Sequence, residues 1–107
     1  LVHGSTVKRL EPTGMVLGAM SDTPFRRASA TLAPGTVLLM YTDGAIERHR
    51  DHEEFGLDRL EELVIRHQGE SATAILDVLH RAITAFGIPS RFEDDLTLVI
   101  IKRMSAK

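Results

Sequence analysis

Two stretches of this chain set carboxylates at the ends of apolar strands. In "VLLMYTDGAIE", residues 37–47, Asp43 directly closes a nearly unbroken apolar run, and in "FEDDLTLV", residues 92–99, Glu93, Asp94 and Asp95 open another. Asp-Gly is a preferred centre of a type I′ hairpin turn, so Asp43-Gly44 has a purely conformational reading. That reading wants a second strand immediately after the pair, and "AIERHRDHEE" is too charged to be one. The triplet likewise has a plain reading as a solvated acidic turn. Yet three adjacent negative charges repel one another, and the entrance of a buried strand is a poor place for them without a cation. Two such sites in one small chain favour convergence, because neighbouring central strands would bring Asp43 and Asp94 together. Carboxylate oxygens with no cysteine and no helical histidine pair suit Mg2+ or Mn2+ rather than Zn2+.

Other chemistry is poorly supported. "DHEEFGLDRLEE" sets Asp51, Glu53, Gly56 and Glu62 at positions of a calcium loop, but Phe55 stands where the fifth ligand belongs. His49 and His52 fall in a charged loop and read as solvated, while His67 and His80 read as packing or boundary residues of helices. Ser5, Ser21 and Ser29 lack a nucleophile-elbow context, and "GMVLG" has the wrong spacing for a phosphate loop.

The elements that must position the carboxylates follow from periodicity. "LVHGSTVKRL" reads as a short hairpin about Gly4, and "EPTGMVLGAMSDTP" as loop. "FRRASATL", residues 25–32, suggests a half-buried strand whose alternation slips at Arg26 and Arg27. Pro34-Gly35 supplies a type II turn, and residues 36–42 form a continuous apolar strand expected to be covered on both faces. Residues 25–32 and 36–42 are thus expected to pair as an antiparallel hairpin. Leu57, Leu60, Leu63, Val64 and His67 share one helical face, as do Ile75, Leu79, Ala82, Ile83 and Phe86. Ser71 is placed to cap the second helix and Gly87 to end it. The sum is an α+β fold: an antiparallel β-sheet with two amphipathic helices on one face.

At 107 residues, with 43% apolar and 26% charged residues, the chain is one ordinary globular domain at most. A net charge of −2 argues against a nucleic-acid surface. No apolar run approaches the ~20 residues that cross a bilayer, so this segment is expected to make no membrane contact. The lack of cysteine fits a reducing, cytoplasmic compartment. The chain opens on Leu1 rather than Met and reads as a portion of something larger.

In order along the chain, "PTGMVLGAM", "LAPGTVLLMYTDGAIE", "FGLDRL" and "EDDLTLVII" resemble the C-terminal half of the metal-dependent (PPM-type) protein serine/threonine phosphatases. The nearest branch is the bacterial one that contains the sporulation stage II and sigma-factor regulatory phosphatases. The resemblance implies a part of an α-β-β-α sandwich with a two-metal Mn2+ or Mg2+ cluster between its sheets. It implies Asp43 and Asp94 as metal ligands, with Asp95 supporting the site from behind them. Gly14 and Gly18 match a turn of the family, and Glu47 matches a common Glu without an assignable role. It also implies hydrolysis of phosphoserine or phosphothreonine on a protein, in this branch often an anti-sigma-factor antagonist. The family's N-terminal half carries a further Asp-Gly metal site that has no counterpart here. This chain would therefore hold only part of an active site and be nearly inactive alone. The alternative is a non-catalytic regulatory or interaction module that retains the fold. A truncated sandwich should also expose apolar surface and self-associate.

Overall fold

The computed structural model describes residues 1–12, 21–22, 24, 26–50, 52–87 and 95–105. Strands β1 (Val2–His3) and β2 (Thr6–Val7) form the expected hairpin, turning at Gly4, whose φ of 62° lies in the left-handed region. Strand β3 (Val37–Tyr41) leads into helix α1 (Asp43–Ile46), followed by β4 (His49–Arg50) and β5 (Glu53–Glu54). Helices α2 (Leu57–His67) and α3 (Ala72–Phe86) come next, and β6 (Leu98–Lys102) closes the order. The main sheet is antiparallel in the order β2-β1-β3-β6, with β4 and β5 a separate pair. The fold is α+β. Among the described residues no helix is long and apolar enough to cross a membrane.

Both helices form for the reasons their sequences carry. In α2 the buried residues are Leu60 and Val64, one turn apart, while Asp58 in the first turn and Arg66 in the last complement the helix dipole. Ser71 caps α3, accepting the Ala74 N–H at 3.1 Å, and the helix buries Ile75, Leu79, Ile83 and Phe86. Val2 and Val37 of the sheet, with Ala45 and Phe55, complete this core. Gln68 ties the end of α2 to the first hairpin: its side chain accepts the Gly4 N–H at 2.8 Å and donates to the Gly4 carbonyl at 2.7 Å. Arg9 grips α2 through Glu61 at 2.7 Å, and that hydrogen bond holds the Glu61 carboxyl below its usual range.

The β3–β6 ladder pairs Leu39 with Ile100 and Met40 with Val99, so its two faces are distinct. Leu39, Leu98 and Ile100 pack toward the helices. Met40, Val99 and Ile101 point the other way and stay 41–47% exposed. The expectation that residues 36–42 are covered on both faces is therefore corrected. Both helices lie on one side, and no described element covers the other. Among the described residues the outer edge of β6 also carries no further strand. An open apolar face beside a bare strand edge promotes association. The isolated chain should form dimers or larger species at micromolar concentration, and Val99→Thr with Ile101→Thr should lower their fraction in light scattering. A monomer with no dye-accessible apolar surface would contradict this.

Three further expectations are revised. Residues 26–32 form no strand; β3 pairs with β1 and β6 instead. The Pro34-Gly35 turn does form, with Thr36 N–H bonded to the Ala33 carbonyl at 3.0 Å and Gly35 at φ 88°. Beyond it the backbone bonds go to Arg103, from Gly35 at 2.7 Å and to Thr36 at 3.0 Å. The unbroken β-branched run of β6 thus takes the edge that a segment interrupted by Arg26 and Arg27 does not hold. The charged run after Asp43 is not a plain loop, because it contains the β4–β5 hairpin. Gly87 follows α3 at φ −103°, so it is no left-handed cap. A Cβ there would lie 2.6 Å from the Arg48 Nε and 2.8 Å from the His49 carbonyl, and close approach is what requires glycine.

Candidate active-site edge

Asp43 is the first residue of α1, at the point where β3 stops being a strand. Asp43-Gly44 is thus no hairpin turn, because it opens a helix, although the charged run behind it does form strands β4 and β5. A helix of four residues has no stability of its own, since nucleation costs more than one turn returns. Its neighbours hold it. Gly44 and Ala45 are buried, the Gly56 N–H bonds the Ile46 carbonyl at 2.9 Å, and the Phe55 N–H bonds the Arg48 carbonyl at 2.7 Å. The "FG" pair is therefore a backbone clasp, with Gly56 at φ 80° opening α2 and Phe55 buried in the core. Glu47, given no role by its sequence, is half-buried and caps α1 through its N–H to the Asp43 carbonyl at 2.9 Å.

Across the ladder, the last β3–β6 pair is Tyr41 with Leu98, which brings Asp43 and Asp95 to the same end of the sheet. Thr42 joins the start of α1 to the segment Asp95 to Thr97. Its hydroxyl donates to the Asp95 carbonyl at 3.0 Å and accepts the Thr97 N–H at 2.9 Å. Asp94, Glu93, Gly14 and Gly18 lie outside the described residues. Asp43 and Asp95 are both exposed, so for these two the expected cost of burying carboxylates does not arise. Among the described residues no group of three or more His, Asp or Glu side chains is arranged to hold a metal. The donors that are present, open to solvent and oxygen-only, fit a hard cation that keeps part of its water, such as Mg2+ or Mn2+.

The calcium-loop pattern dissolves in the structure. Glu53 pairs with Arg59, which lowers its pKa, Phe55 is core, and Glu62 pairs with Arg66 at 3.0 Å on α2. Asp51 lies outside the described residues. Of the histidines expected to be solvated, His52 is exposed, but His49 is half-buried in β4 with its Nε2 3.6 Å from Glu54. His67 pairs with Glu70, and His80 is exposed.

Sequence reasoning missed Arg48. It is buried at 5% exposure, and its guanidinium donates to the Ile83 carbonyl at 3.3 Å and the Thr84 carbonyl at 3.2 Å. Both carbonyls lie in the last turn of α3, at the negative end of the helix dipole. Beside it Phe86 meets Phe55 edge-on, with centroids 5.5 Å apart, while Arg50 and Arg59 sit 4.6 and 4.5 Å from its ring centroid. The segment that follows Asp43 is thereby bolted to α3. No local pattern marks Arg48 as the inward cation, since Arg50 two residues on is exposed.

The family model for stage II sporulation protein E (SpoIIE) matches residues 1–104. The chain belongs to the SpoIIE family. It is a PPM-type phosphatase domain sequence of the sporulation and sigma-regulatory branch, as its motifs implied. The SpoIIE match takes in Asp43, Asp94 and Asp95, together with Thr42 and Arg48. Among relatives, the chain is 32% identical over 96 residues to protein IcfG of Synechocystis, covering 89% of this chain and 15% of that protein. It is 23% identical over 99 residues to the phosphoserine phosphatase RsbU of Bacillus subtilis, covering 92% of this chain and 29% of RsbU. The chain thus spans less than a third of the length of either relative. No solved structure matches it.

Proposed function

We propose that this chain is the C-terminal portion of a metal-dependent phosphatase domain that hydrolyses phosphoserine or phosphothreonine on a protein; its relative RsbU is named a phosphoserine phosphatase. The observation that carries the reading is that Asp43 and Asp95 stand at one end of the β3–β6 ladder with Thr42 between them. In this reading Asp43 and Asp94 would hold the metal and Asp95 would steady the turn from behind. The remaining ligands would come from residues upstream of this segment. Bound Mn2+ or Mg2+ would lower the pKa of a water and neutralise phosphate oxygens. The chain's own part is to hold carboxylates at fixed positions, in a cytoplasmic enzyme whose substrate class includes phosphorylated anti-sigma-factor antagonists.

An incomplete ligand set binds weakly, because affinity for hard cations follows the number of charged ligands. The isolated chain should bind Mn2+ weakly and turn over a phosphoserine peptide hardly at all. Adding the upstream half of the domain in trans should tighten binding and restore some turnover. Tight binding by the 107 residues alone would contradict the shared-site reading. A completed domain that binds no metal and releases no phosphate would leave an interaction module instead.

A further inference from the structure

Thr42 is the N-cap of α1, yet its side chain makes no capping bond to that helix. The reason is visible in how its polar atoms are spent. The Thr42 N–H continues the ladder, donating to the Thr97 carbonyl at 3.1 Å. In a regular antiparallel pair the Thr97 N–H would return the bond to the Thr42 carbonyl. That carbonyl has been diverted to α1, where it accepts the Ala45 N–H at 3.0 Å. The Thr42 hydroxyl takes its place, accepting from Thr97 at 2.9 Å, and uses its own proton on the Asp95 carbonyl at 3.0 Å. One residue thus ends the strand, starts the helix and ties the Asp95 to Thr97 backbone to both.

From this we infer that Thr42 is a positioning residue, whose hydroxyl sets the Asp95 to Thr97 backbone against the backbone of Asp43. The inference rests on the reading that Asp43 holds a metal. A hydroxyl that accepts and donates is required. Serine supplies it, whereas valine has the same shape and supplies neither bond. Partners that orient ligands from behind typically matter about 10–100-fold in metal affinity.

The test uses the complete protein in Thr42→Val, Thr42→Ser and Asp43→Asn forms. Amide exchange at Thr97 is read in metal-free protein, and Mn2+ affinity is read by titration. Thr42→Val should speed Thr97 exchange about tenfold, the loss expected for one hydrogen bond, and weaken Mn2+ binding about tenfold or more. Thr42→Ser should restore both. Unchanged exchange at Thr97, or faster exchange with Mn2+ affinity intact, would overturn the inference. Loss of protection throughout β6 that serine does not rescue would overturn it too. If Asp43→Asn leaves Mn2+ affinity untouched, the metal reading fails by itself, and the Thr97 result still reports whether the hydroxyl holds the register.

Discussion

Asp43→Asn, in a protein that carries the complete domain, is expected to lower turnover of a phosphoserine peptide by about a hundredfold or more. Asp94→Asn should do the same. Asparagine keeps the shape and one oxygen of each side chain and removes the negative charge that a divalent cation needs. A metal contributes several kcal/mol of charge stabilisation, and each ~1.4 kcal/mol is tenfold in rate. Stability should respond quite differently. Asp43 is exposed, so its replacement should shift the unfolding free energy by no more than about 0.5 kcal/mol. The signature is therefore a large loss of turnover at an unchanged melting temperature. Near-parental turnover at saturating Mn2+ would remove that residue from the ligand set.

What the sequence made legible was whatever a local pattern encodes. The stripe through Leu60 and Val64, the Ser71 cap and the Pro34-Gly35 turn each follow from residue type and spacing within a few positions. The acidic turns were legible because carboxylates beside apolar strands are chemically out of place. What stayed hidden depends on competition between distant segments. Residues 26–32 resemble a strand, but β3 has two edges, and better β-formers take them at β1 and β6. Thr42 gave no signal either, because its hydroxyl bonds to Asp95 and Thr97, far along the chain. Arg48 was concealed in the same way, by a partner at the end of α3.

That Arg48 contact sets a large expected stability effect. Arg48→Met keeps much of the side chain's volume and removes its donors. Hydrogen bonds to a charged group are worth about 1.5–3 kcal/mol each, and two carbonyls of α3 would lose this partner. A loss of about 3 kcal/mol is expected, a large share of the roughly 5–15 kcal/mol that holds a domain folded. Arg50→Met serves as the comparison, because Arg50 is exposed and its stacking on Phe86 at 4.6 Å should be worth about 1 kcal/mol or less. Gly87→Ala probes the same contact from the far side, pressing a Cβ to within 2.6 Å of the Arg48 Nε. Its cost should shrink but persist in the Arg48→Met background, because the His49 carbonyl at 2.8 Å remains in place. Urea unfolding of the single and double variants measures all of these quantities. Should Arg48→Met unfold within about 0.5 kcal/mol of the parent, the guanidinium adds nothing net. The segment after Asp43 would then be held by its other contacts, the Phe55 and Gly56 backbone clasp among them.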